Sequence, residues 1–557
     1  MVPAMVRHTR SLLGVLVALA PIVSRAAEGP ERISVEPSEV RLLGAEARQQ
    51  LAVTGLDADG SIRDLTADAR FTVEPAGLAL ASPTGVITPL ADGLGMVRVA
   101  AGGRTIEVPL SVAEARQTRP VSYRLDVCAL LSKAGCNMGT CHGNLNGKGG
   151  FRLSLRGDDA RFDFDALTRD AFGRRIDRQR AEESLIVRKP TGRLPHEGGL
   201  RFPPGSFEER ILLGWITAGA TDDEATAPRL TRLTVFPSER LLTAPGLAQQ
   251  LVVTAEFADG SHRDVTRQAA YDVSDPTRAA VDPDGRVTAT GPGEITVAVR
   301  YLDGRGISRL AFLHDRPAFV WKGPEPNNLI DTHVFAKLRA LKINPSELAG
   351  DAVFLRRAYL DAIGLLPTPE EVRAFLADTD PEKRSKLVDR LLERPEFADF
   401  WALKWADLLR NEEKTMGEKG VWIFQRWLRD QIAADLPLDE FARRIISARG
   451  STWRNPPASF YRTNRDPQTA AETFGQVFLG VRLQCARCHN HPFDVWTQDD
   501  YYHLAAYFAN ISRKEINNFR RDSLDKHEIN GDEVVYLDGR PQIVQPRSGE
   551  MMDPKPP

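Results

Sequence analysis

QQLAVTGLDADGSIRDLT occupies residues 49–66, and QQLVVTAEFADGSHRDVT occupies residues 249–266. The likeness extends outward from both. ISVEPSEVRLL, from Ile33, is answered by LTVFPSERLL, from Leu233, and TGVITPLADGLGMVRVA is answered by DGRVTATGPGEITVAV. Each copy runs for about eighty residues of short apolar stretches separated by D-G, P-S and G-P-G turn signals. Leu51 and Val53 stand two apart, as do Leu251 and Val253, which is the spacing of a half-buried strand. The turn spacing predicts a small antiparallel β-sandwich in each copy.

The V-x-P-S opening, the A-D-G-S-x-R-D-[LV]-T middle and the G-x-[IV]-T closing resemble bacterial Ig-like domains of the invasin and intimin type, over residues 31–113 and 230–316. The resemblance implies a sandwich fold and, as expectations, a spacer, adhesion or carbohydrate-facing role. Sandwiches host many functions, so a plain spacer is the preferred reading.

The chain of 557 residues exceeds what one core organises, and its length predicts about three to five domains. A formal charge of −2 gives no support to nucleic-acid or anionic-membrane binding. At the N-terminus Arg7 and Arg10 precede an apolar run from Leu12 to Val23, followed by Ser24-Arg25-Ala26. This is the layout of a cleaved secretory signal over residues 1–26. The apolar run of about a dozen residues is shorter than the ~20 that span a bilayer. The expected product is an exported protein, periplasmic or at the cell surface, with no transmembrane anchor after cleavage.

Five cysteines are sparse for a disulfide scaffold of this length, yet four of them fall in two short segments. The first reads Cys136-x4-Cys141-His142. Two thiols followed at once by a histidine are the attachment signal for c-type haem, here with a linker two residues longer than the C-x-x-C-H form. Zinc held by two thiolates and an imidazole is an alternative, as is a Cys136–Cys141 disulfide. Cys128 is left over and reads as a buried apolar residue. The block from LLSKAGCNMGTCHG through KGGFRLSLRG to LLGWITAGA resembles the planctomycete cytochrome c domain, over residues 120–222. That resemblance implies a small, mainly α domain with haem iron. Where many such domains carry a methionine, this chain reads Leu194-Pro195-His196-Glu197, so His196 is the expected ligand opposite His142.

From about Asn327 the apolar spacing turns helical. Prolines 345, 367, 369, 381 and 395 punctuate the pattern, several at helix starts. Tryptophans 401, 405, 422 and 427 are expected to fill the core of a helical bundle. The second segment, Cys485-Ala486-Arg487-Cys488-His489, has the C-x-x-C-H spacing, and His491 follows. The stretches RRAYLDAIGLLPTPEEV, KLVDRLLERPEF and NRDPQTAAETFGQVFLGVRLQCARCHNHPFDVW resemble a second planctomycete cytochrome-like domain of unknown function, over residues 326–512. Cys485, Cys488 and His489 are candidates for a second haem, with His503 or Met416 as the distal ligand. A zinc-type site of Cys485, Cys488, His489 and His491, or a short-loop disulfide, stands beside that reading. Residues 513–557 read as a tail that begins a further, truncated domain.

The expected architecture is therefore two all-β Ig-like sandwiches, a small mainly α cytochrome c-like domain between them, and a mainly α C-terminal domain. The expected function is electron transfer by one or two haem c groups to a redox partner protein, as a carrier rather than an enzyme. The contrasting expectation is a surface-binding protein, for polysaccharide or envelope, whose Cys–His segments hold structural metal or disulfides. No G-x-S-x-G elbow or H-E-x-x-H helix supports a hydrolase.

Overall fold

The computed structural model describes residues 29–243, 247–314, 316, 318–491, 494–516 and 531–556. The expected export signal lies outside them. The chain is multidomain, with two β-sandwiches and a helical C-terminal region. In the first sandwich, Arg32–Glu36, Ala52–Leu56 and Ile62–Asp64 form one antiparallel sheet. Val40–Leu43, Arg104–Ala113, Gly93–Ala101 and Arg70–Glu74 form a second, in which Val40–Leu43 runs parallel to its neighbour. Residues 230–313 repeat this order and its register. Val35 pairs with Val53 as Val235 pairs with Val253, and Thr54 pairs with Asp64 as Thr254 pairs with Asp264. At the D-G turns Gly60 and Gly260 take φ of 79° and 82°, the left-handed region that disfavours a Cβ.

The strand Ala52–Leu56 departs from the half-buried expectation, because Ala52, Val53 and Thr54 are all buried. Its inner face packs into the first core. The outer face is covered by the second sandwich, whose Arg240 donates to Thr54 Oγ1 at 2.8 Å. The joint is reciprocal. Asp64 Oδ2 accepts from Gln250 N at 2.7 Å and Gln249 Nε2 at 2.8 Å. Asp264 Oδ2 accepts from Gln50 N and from Gln49 Nε2, the latter at 3.1 Å. Each carboxylate uses its other oxygen on its own module, with Thr66 N at 2.9 Å and Thr266 N at 2.8 Å. The two hydrophobic cores share no residue. The contact between modules is polar and charge-assisted, the stronger class of hydrogen bond.

Between the sandwiches, residues 120–222 form a compact unit of short helices around Tyr123, Phe164 and Trp215, with Tyr123 stacked on Trp215 at 5.3 Å. Leu125 and Ala129 enter the core of the second sandwich, and Tyr301 Oη donates to Leu125 O at 3.0 Å. The fold of this unit does not establish it as cytochrome c-like.

Two of the expected prolines, Pro369 and Pro395, each open a helix, and Pro467 opens a third. The tryptophan expectation needs correction. Trp405 and Trp427 pack on Phe441 at 4.9 and 5.7 Å, but Trp401 and Trp422 are 36% and 61% exposed. The helix faces that carry those two turn outward. The strand Asp532–Leu537 pairs with Ile511–Ile516, and its Val535 joins the core that holds Phe441 and Phe460. Glu533 and Arg462 lie there with fully buried side chains, 3.8 Å apart, and Arg465 reaches Glu533 at 3.0 Å.

Two outcomes follow. Removing one member of a buried ion pair strands the other, so Glu533→Ala should cost the C-terminal domain about 3–5 kcal/mol. Arg465→Ala, at a 40% exposed side chain, should cost under about 1 kcal/mol in the same urea titration. At the joint, burial pushes the Asp264 carboxyl up to about 6. A raised carboxyl favours the folded state in acid, so its contribution is full below about pH 4 and is lost as pH rises to about 6. The stability difference between wild type and Asp264→Asn should shrink by roughly 2–3 kcal/mol over that window and stay flat above it, as read by thermal unfolding.

Candidate functional site

The first Cys–His segment leaves the helix Cys128–Lys133 through Gly135, at φ 73°. Its backbone then closes on itself: Cys141 N donates to Met138 O at 2.8 Å, and His142 N donates to Cys136 O at 3.0 Å. A Cβ at Gly143 would lie 2.0 Å from Asn137 O, so only glycine fits this closure. Cys136 faces the apolar core, 9% exposed, and burial pushes its thiol up to about 11. Cys128 is deeper in that core, and its thiol is pushed up to about 12. Both are therefore neutral and poorly nucleophilic. Cys141 is half-buried.

His142 and His196 come together from two loops. Their rings lie 6.2 Å apart at an interplanar angle of 12°. His142 Nδ1 is 3.0 Å from Phe151 O, and His196 Nδ1 is 3.1 Å from Gly199 O. Each Nδ1 carrying its proton would donate to that carbonyl, which fixes ring orientation. Lys148 and Glu197 join the same two loops at 3.0 Å, an exposed pair that positions rather than stabilises. Phe151 packs on the His142 ring at 4.6 Å, and Arg175 lies over Phe151 at 4.4 Å. Burial first, and His196 to a lesser degree, hold His142 below its ordinary range, so both effects favour the neutral imidazole near pH 7.

The second segment has a different setting. Cys485 and Cys488 lie on the tight turn Gln484–Arg487 and its end, and both thiols are exposed. His489 Nδ1 sits 2.7 Å from Asn490 O. His491 N donates to Trp496 O at 2.8 Å, and burial holds the His491 ring below its ordinary range. The loop touches the second sandwich where Arg305 donates to Asp494 O at 3.1 Å. Met416 is packed in the C-terminal core at 1% exposure, and His503 Nδ1 is engaged by Asp553 O at 2.7 Å. Among the described residues, no group of three or more His, Cys, Asp or Glu side chains is placed to hold a metal ion. No described helix is long and apolar enough to cross a membrane. The Lys148–Glu197 clamp and the Asp–Gln joint escaped the sequence reading, although the aspartate repeated in both R-D-[LV]-T stretches was a usable signal for the joint.

The profile of a family described as "Protein of unknown function (DUF1549)" matches residues 329–513. No curated protein matches the chain. Among solved structures, the S-layer protein SbsC domains 5-6 is 12% identical, covering 51% of this chain and 98% of that one, with a TM-score of 0.22. A structure of SbsC domains 4-9 is 12% identical over 53% of this chain and 34% of that one, also with a TM-score of 0.22. At these scores the likeness transfers no property to this chain.

These findings correct the expected membership. The matched family is one of unknown function, so the match supplies no cytochrome membership. The expected cytochrome identity, with haem binding, metal binding and electron transfer, is not upheld. The geometry gives a physical reason at the first segment. A thioether to an external ring needs an accessible sulfur, and Cys136 sits among Leu131, Leu153 and Phe202 in a closed core.

His142 should titrate below the ordinary 6.5 in a ring-proton NMR titration, and His196→Ala should move it upward by removing a neighbour that lowers it. A His142 pKa unmoved by His196→Ala would show that the two rings do not sense one another in solution.

Proposed function

We propose that the chain is an exported surface-binding protein, directed to polysaccharide or another envelope component, in which the two sandwiches act as one rigid scaffold. The observation that supports this is the reciprocal joint. Two Ig-like modules tied by paired carboxylate–glutamine contacts hold a fixed mutual angle, whereas modules strung on a free linker would not. A fixed angle suits a protein that must present the intervening and C-terminal units at a set geometry to a surface. The signal-like sequence of residues 1–26 supports export.

In this reading the Cys–His segments take no direct part in surface binding. Cys136, Cys141, His142 and His196 close two loops against the intervening core. His489 and His491 lie on the loop that touches the second sandwich, where Arg305 donates to Asp494 O. Zinc at either segment is an alternative that direct metal analysis decides.

The test is sedimentation of the purified chain with isolated envelopes of the native host. Saturable co-sedimentation, weakened at least several-fold by Asp64→Lys/Asp264→Lys, is the expected result. A chain that stays in the supernatant, or one that carries stoichiometric covalent haem when isolated from its host, would sink this reading.

A further inference from the structure

We propose that Cys485 and Cys488 form a redox-reversible dithiol that exchanges with external disulfides and thiols. This rests on the exposed turn, not on surface binding. The cysteines occupy positions i and i+3, from inside the turn Gln484–Arg487 to its end, where Cys488 has φ −112° and ψ −23°. In a turn of this tightness the chain rises about 2.0 Å per residue and side chains at i and i+3 eclipse. Two Cα atoms so placed stand about 6 Å apart on one face, within the ~4.4–6.8 Å that a disulfide accepts. Closing the bond therefore asks for a side-chain rotation and little backbone movement.

Exposure and charge separate this pair from the other thiols. Cys128 and Cys136 are buried with thiols pushed up by burial. Cys485 and Cys488 are exposed. Arg482 and Arg487 flank them, and both are exposed. Arg487 is held loosely by Glu472 at 3.7 Å. An accessible pair of thiols in a turn of the C-x-x-C type is open to exchange with small disulfides, which buried thiols are not. Ala486, buried at 0%, pins the middle of the turn to the core, so the sulfurs are presented by a fixed support.

The chemistry balances with a low-molecular-weight disulfide as co-reactant. One thiolate attacks a sulfur of R–S–S–R, forming a mixed disulfide and releasing one thiolate. The second cysteine, as thiolate, attacks the protein sulfur of that mixed disulfide and releases the other R–S⁻. Two protein thiols and one external disulfide become one protein disulfide and two external thiols, with two electrons and two protons passed outward. Excess thiol reverses both steps.

The test uses the full chain in glutathione buffers, followed by alkylation, intact mass and peptide mapping. In reducing buffer all five cysteines of the denatured chain should alkylate. In oxidising buffer Cys485 and Cys488 should be lost together and appear as one linked peptide, and dithiothreitol should restore them. Cys485→Ser should stop at a single glutathione adduct on Cys488, because the second attack is removed. Both positions are solvent-facing, so the serine variants retain the fold, which far-UV circular dichroism checks. Three outcomes would overturn the proposal: alkylation of both residues unchanged by oxidising buffer, stable adducts on both cysteines of the wild type, or a pair already occupied by zinc or covalent haem.

Discussion

Two carboxylates hold the N-terminal half of this molecule together. Asp64 and Asp264 each turn one oxygen to a threonine amide of their own module and the other to the glutamine pair of the opposite module. The first bond orients the carboxylate, so that the second forms without searching rotamers. The partners are equivalent residues 200 positions apart (49 and 249, 64 and 264), so the joint has the logic of a two-fold dimer interface written on a single chain. Residues 120–222 must then bridge between two modules whose relation is already set, and they do so by entering the second core with Leu125 and Ala129.

The equivalence is imperfect, and the exception is instructive. Val40 of the first module is buried at 1%, whereas its counterpart Arg240 donates across the joint to Thr54 and, within its own module, to Gln249. One half of the joint thus has Arg240 acting on Asp64, while Arg267 acts on Asp264. Burial raises both carboxyls, and Arg240 acts against that rise at Asp64. A polar joint of this kind fixes register more strictly than an apolar one, because any other seating leaves buried amides without acceptors. That cost selects one arrangement even where the net stabilisation is modest.

The sandwiches were legible because their information is local. Period-two apolar residues, D-G turns and a whole second copy all point to the same strands. The burial of Ala52 and Thr54 was not legible, since it comes from a face 200 residues away. The helical region was legible in some of its starts, where Pro369 and Pro395 act through the backbone alone. Which tryptophans face inward was not, because Trp401 and Trp405 share one helix and differ only in what lies beyond it. The pairing of His142 with His196 was proposed from sequence. The clamp that joins their loops, Lys148 with Glu197, had no signal in spacing or composition.

The two Cys–His segments look alike as text and differ as chemistry, and the difference is the linker. With four residues between the thiols, the chain from Cys136 to Cys141 has enough length to turn back, and the bonds Cys141 N to Met138 O and His142 N to Cys136 O close that turn. The closure leaves Cys136 facing the core, where burial keeps its thiol neutral. With two residues between them, Cys485 and Cys488 cannot fold back. They remain on one side of a single turn, whose only deeply buried member is Ala486. A motif fixes the order of its reactive groups, whereas reactivity is set by which of them the fold leaves in water. By that criterion the chain holds one set of thiols that belongs to packing and one that belongs to solution chemistry.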